Sequence, residues 1–180
     1  MDNDMDSLLE TYLFETNSLM NHLDEILLDA EKSKRFTVDN VNEIFRIMHT
    51  IKGSSAMMEF HSLMTSAHKL EDLFFLIRDR GVEVFDEKCD EKLHHEIFDL
   101  LFETIDFMRA EIEKVENGEA LTENIDNYQE NINSYVNKIK VAFGEAAAAD
   151  LAIELQKIAD QAVVDHLALI EAAAAELSAT

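Results

Sequence analysis

His49 and Gly53 lie four residues apart in a segment whose apolar pattern is helical, so they share one helix face. The chain's other three glycines, Gly81, Gly118 and Gly144, fall where helices should stop. Gly53 falls inside a helix, where glycine costs about 1 kcal/mol relative to alanine. Such a cost implies that a side chain at this position would obstruct something. Arg46 and Lys52 stand three residues to either side of His49. Between residues 44 and 70 the bases are Arg46, Lys52 and Lys69 and the only acid is Glu59, a net positive window in a chain of formal net charge −23. An imidazole in such a patch suits a phosphoryl group, which brings roughly two negative charges. It also suits a docking partner with an acidic active site. The plain alternative is an ordinary surface histidine.

Helices must position these residues. The chain has 180 residues, no proline and only four glycines, too few turn formers for an all-β fold. Leu8, Tyr12, Leu19, Leu23 and Ile26 predict a first helix over residues 4–31, ended by the polar run Glu31 to Arg35. Thr37 is the expected N-cap of the second, with Asp39 in its first turn and Val41, Ile44, Phe45, Met48 and Ile51 as its apolar stripe. The stripe Asn42, Arg46, His49, Gly53 runs beside it, which puts His49 at the rim, within reach of water. A third helix over residues 61–80 carries Leu63, Ala67, Leu70, Phe74 and Ile77, and stops at Arg78, Arg80 and Gly81. A fourth is expected over 87–116, with Leu93, Ile97, Leu100, Leu101, Ile105 and Met108 inward. Thr122 is the expected cap of a fifth, carrying Ile125, Tyr128, Ile132, Tyr135 and Ile139.

Short connections make neighbouring helices antiparallel. The expected fold is all-α: an antiparallel up-and-down four-helix bundle with additional C-terminal helices. The chain reads as two parts, residues 1–141 and an alanine-rich 142–180 with two runs of four alanines. The second part is expected to be one further helix, apolar on more than one face and therefore in need of neighbours. It serves as a linker, packs on the bundle, or joins a second copy of the chain in a homodimer.

Charge and composition exclude other classes. A field of −23 repels nucleic acid and anionic lipid. No stretch approaches the roughly 20 apolar residues of a membrane span. The acidic Met1–Asp6 segment lacks the apolar run of a signal peptide, and Cys89, the single cysteine, has no partner for a disulfide or a cysteine metal site. A cytoplasmic location is expected. There is no glycine-rich nucleotide loop, so no ATP site is expected in this segment. A metal-binding bundle is the rival class, because Glu91-Lys92-Leu93-His94 matches the Glu-x-x-His pattern once. No second match exists, and the adjacent His94 and His95 point about 100° apart on a helix. No metal site is expected.

The residues His49-Thr50-Ile51-Lys52-Gly53-Ser54-Ser55-Ala56 resemble the H-x-x-K-G-x-S/A motif of histidine phosphotransfer domains, most closely the N-terminal domain of CheA-type chemotaxis histidine kinases. Ala67-His68-Lys69-Leu70-Glu71 resembles the T-H-x-x-E segment on the family's next helix, and the resemblance covers about residues 1–140. It implies that an ATP-dependent histidine kinase catalytic domain phosphorylates His49 on Nε2. The group would then pass to an aspartate of a response regulator receiver domain. ATP would sit on the donor and Mg²⁺ on the receiver, with no cofactor here, and the segment would be a fragment of a longer signalling kinase. Glu71 would accept a hydrogen bond from His49 Nδ1–H and fix its tautomer. Lys52 would offset phosphoryl charge, and His68 would hydrogen-bond the histidine or its phosphate. Gly53 would leave room for a partner's loop, flanked by Arg46 and Lys69. The bland alternative for His68 and Glu71 is a surface pair on one helix. Met57-Met58-Glu59 departs from the small or glycine-rich stretch common in the family, so a different local turn is expected, with the methionines filling the core in preference to the alternative, a flexible partner-docking surface.

Overall fold

The computed structural model describes residues 2–144, and all regular structure among them is helical. The elements are α1 (Asp2–Ser33), α2 (Val38–Met57), α3 (His61–Arg80), α4 (Val82–Lys88), α5 (Glu91–Glu116) and α6 (Asp126–Ala142). The helix expected over residues 145–180, and the homodimer through it, lie outside the described residues. No helix of the described residues is long and apolar enough to cross a membrane.

Local chemistry sets several boundaries. Thr37 caps α2: its Oγ1 accepts the Asn40 N–H at 3.0 Å, and Asn40 Oδ1 accepts the Thr37 N–H at 2.9 Å. Such a cap contributes about 1 kcal/mol. Three helices end by folding an N–H back onto the carbonyl five residues earlier: Arg35 to Ala30 at 3.1 Å, Phe60 to Ser55 at 2.9 Å, and Glu119 to Lys114 at 2.8 Å. The left-handed residue this needs is Gly118 after α5, but Lys34 after α1 and Glu59 after α2. The left-handed turn at Glu59 leaves Met57 78% exposed, while Met58 packs on the core. Met57 therefore does not fill the core as expected: it lies one turn beyond Gly53, on the same open face.

Side-chain contacts give the helix directions. Tyr12 meets Ser55 at 2.9 Å and His22 meets Glu43 at 3.7 Å, so α1 and α2 are antiparallel. Asn17 meets Glu116 at 2.8 Å and Asn21 meets Arg109 at 3.2 Å, so α1 and α5 are antiparallel. With α3 these helices form a four-helix bundle. Its centre holds Leu23, Leu27, Ile44, Met48, Ile51, Leu63, Leu70, Phe74, Leu101 and Ile105, all buried. Helix α6 packs beside α3 and α5, where Tyr135 donates to the Leu93 carbonyl at 2.8 Å. Phe36 secures the α1–α2 connection, edge-on to Phe74 at 5.6 Å and stacked on Phe98 at 5.0 Å.

Two expectations about the second half need correction. The helix expected over 87–116 is two elements, because the Asp90 carboxylate accepts the Leu93 N–H at 2.8 Å and starts α5 afresh. Thr122 does not cap α6, which begins at Asp126 without a side-chain cap. Its hydroxyl and N–H donate instead to the fully buried Glu111, at 2.7 and 2.9 Å. Ser62 and Lys114 complete this cluster at 2.5 and 2.6 Å. Burial alone would raise the Glu111 pKa; the Lys114 ammonium and the hydroxyl and amide donors outweigh it and hold the carboxyl below its ordinary range.

Candidate functional site

The antiparallel α2–α3 pair carries the site. Ile47, Met48 and Ile51 are buried against the bundle and orient α2, which turns His49 outward with 64% of its side chain exposed. Leu70, Leu73 and Phe74 are buried around Glu71 on α3 and aim its carboxylate at α2. His49 Nδ1 and Glu71 Oε1 are 2.7 Å apart. Lys52 Nζ lies 2.5 Å from the other carboxylate oxygen, Oε2. Oε2 is buried, and the Lys52 ammonium is its ion-pair partner. Burial would raise the Glu71 pKa, but the Lys52 ammonium and the His49 hydrogen bond more than offset it, and the carboxyl stays below its ordinary range.

This arrangement favours one position for the ring's proton. An ionised carboxylate can only accept, so the proton must sit on Nδ1. Nε2 then keeps its lone pair, and among the described residues it has no hydrogen-bond partner. Such a nitrogen can attack an electrophilic phosphorus. The ring becomes cationic when it does, and Glu71 is placed to offset that charge.

The remaining candidates divide. Arg46 is exposed one turn before His49 and pairs with Glu43 at 3.7 Å. Gly53 is exposed one turn after it, and a Cβ built there meets nothing within 4 Å. Whatever a side chain at 53 would obstruct is therefore not part of the described chain. His68 does not reach His49: its Nε2 lies 3.6 Å from Asp72 Oδ1, one turn along its own helix, and the ring is exposed. Lys69 is also elsewhere, donating to Asn133 of α6 at 3.1 Å. Residues two apart on a helix diverge by about 200°, so Lys69 and Glu71 cannot share a face.

The sequence reading missed the aromatic flank. Phe45, expected in the core, is half-buried and lies 6.2 Å from the His49 ring with its plane tilted by 18°. Phe75 lies 6.4 Å from Phe45, and the Arg78 guanidinium sits over both rings, 3.8 Å from the Phe45 centroid and 5.5 Å from that of Phe75. The signal was present: Glu71, Phe75 and Arg78 follow the i, i+4, i+7 spacing of one helix face. The Cys89 thiol is buried, and burial beside Asp90 and Asp86 pushes its pKa up to about 11, which makes it a poor nucleophile. His94 is engaged by Asp86 at 3.2 Å and by the Asp90 carbonyl at 3.1 Å.

A family model described as the Hpt domain matches residues 7–130. The sensor histidine kinase CheAY of Helicobacter pylori is 32% identical over 107 residues, covering 59% of this chain and 12% of that protein. The chemotaxis protein CheA of Borreliella burgdorferi is 30% identical over 109 residues, covering 61% and 12%. That of Treponema pallidum is 29% identical over 131 residues, covering 73% and 15%. The chain thus matches less than a sixth of the length of these relatives. No solved structure is a significant match.

Proposed function

The chain belongs to the Hpt domain family, and from that premise we propose that His49 carries a phosphoryl group between a histidine kinase catalytic domain and the aspartate of a response regulator. The observation that carries this reading is the 2.7 Å contact of His49 Nδ1 with Glu71, which leaves Nε2 open to solvent. In the first step Nε2 attacks the γ-phosphorus of ATP held by the donor. The N–P bond forms, the bond to the ADP oxygen breaks, and the Nδ1 proton stays in place. In the second step a receiver carboxylate oxygen attacks the same phosphorus, with Mg²⁺ supplied by the receiver. The N–P bond breaks, and the ring returns neutral with its proton still held by Glu71. Neither step moves a proton, so the duty of Glu71 is orientation and charge balance.

Lys52 keeps Glu71 ionised and stands one turn from His49, where its ammonium offsets phosphoryl charge. Its side chain is 28% exposed and so is reachable by a phosphate on Nε2. The chemotaxis proteins among the relatives support a chemotaxis-type two-component pathway. The direct test is incubation of the domain with ATP and a CheA-type catalytic fragment. Wild type should acquire acid-labile phosphate and His49→Gln should acquire none. Equal labelling of both would refute the proposal.

A further inference from the structure

Arg78 has no duty in the transfer chemistry, yet its placement is specific. In a chain with 38 acids, no carboxylate among the described residues lies within ion-pair distance of it. Its guanidinium rests on Phe45 and Phe75, and Phe45 in turn lies against the His49 ring. Phe75 is 50% exposed, an apolar surface beside a cation, separated from the imidazole by the Phe45 ring. Stacking holds a guanidinium flat and leaves its N–H edge free for a carboxylate, which it can grip through two bonds at once.

We propose that Arg78, held by Phe45 and Phe75, is a specificity residue that grips a carboxylate at the rim of the receiver's phosphorylation site. The inference rests on the reading of His49 as phosphoryl carrier and adds the chemistry of its acceptor. A receiver must hold Mg²⁺ with carboxylates, so its active face is acidic. A strongly acidic domain would repel that face unless positive charge were kept available at the point of contact. Arg78 supplies it on the aromatic side of His49, and Phe75 covers the apolar surface beside it. A nucleotide on the donor needs its triphosphate in line with Nε2, whereas Arg78 stands to one side, a ring away.

The test is titration of the ¹⁵N-labelled, unphosphorylated domain with a purified Mg²⁺-loaded chemotaxis receiver domain, so its outcome does not depend on whether His49 accepts phosphate. Arg78→Glu should raise Kd by at least about tenfold, and the weaker Arg78→Ala defect should shrink as salt screens the lost attraction. Arg78→Lys should restore only part of the affinity, because lysine keeps the charge without the planar fork. In transfer from phosphorylated His49, the loss should appear in the receiver's KM, with kcat little changed. Wild-type affinity in Arg78→Glu, or a fall in kcat at unchanged KM, would overturn the proposal while leaving the carrier role of His49 to its own test.

Discussion

Glu71 is shared between an imidazole and an ammonium: its Oε1 takes His49 Nδ1 at 2.7 Å and its Oε2 faces the Lys52 ammonium at 2.5 Å. The carboxylate is almost entirely buried, yet both neighbours on α2 remain accessible. Burial would favour the neutral acid, and the Lys52 ammonium together with the His49 hydrogen bond reverses that preference. The ring's tautomer therefore depends on a charge held on the neighbouring helix.

Glu71→Gln should keep the fold, read by circular dichroism, and slow phosphorylation of His49 by about 10–100-fold, the usual cost of losing a partner that orients a reactive group. The amide can present N–H as well as C=O to Nδ1, so the ring loses its fixed tautomer. The pH–rate profile should change shape along with the rate. An unchanged rate and profile would remove Glu71 from the mechanism.

Gly53 separates intramolecular from intermolecular constraint. A Cβ at this position meets nothing within 4 Å, so Gly53→Ala should stabilise α2 by up to about 1 kcal/mol, read as a rise in Tm. Gly53→Leu should also fold, and should weaken receiver binding in a titration. Destabilisation by alanine would place the obstruction within the chain instead.

Phe36 tests how the bundle supports the site. It is fully packed between Phe74 and Phe98, and Phe74 lies on α3 three residues from Glu71. Phe36→Ala should cost about 3–5 kcal/mol in denaturant unfolding, the range for a buried aromatic. A loss under 1 kcal/mol would mean that the α1–α2 connection moves independently of the core.

Glu111 gives an acid-sensitive contribution. Its folded pKa lies below the ordinary 4.5, so it favours the folded state above that value. That stability is lost as pH falls through the lower folded value. Glu111→Gln should flatten the acid limb of the stability curve and lower neutral-pH stability by about 1–3 kcal/mol, because Lys114 and the Ser62 and Thr122 donors lose a charged acceptor. An acid limb identical to wild type would show that other carboxylates govern it.

What was legible in the sequence follows the range of the forces involved. The bounds of α3 could be read because Arg78, Arg80 and Gly81 act within one turn, and Thr37 because its bonds with Asn40 are local. The pairing of His49 with Glu71 came from the family resemblance and not from periodicity, which placed each residue only on its own helix. Thr122 was misread because Glu111, eleven residues earlier, claims its hydroxyl and N–H. His68 lies 3.6 Å from Asp72, one turn ahead on its own helix, a local contact that the helical stripe alone did not disclose. The seven-residue α4 is too short for periodicity to reveal, and Arg78 gained its place from a ring on another helix.

The central claim is that phosphate goes to Nε2 of His49 because Glu71 holds the proton on Nδ1. Long-range ¹H–¹⁵N NMR of the imidazole, before and after phosphorylation, reads both nitrogens directly. Free protein should show a protonated Nδ1 and a bare Nε2, and phosphorylated protein an N–P bond at Nε2. A proton on Nε2 in the free protein, or phosphate on Nδ1 or on another residue, would contradict the account.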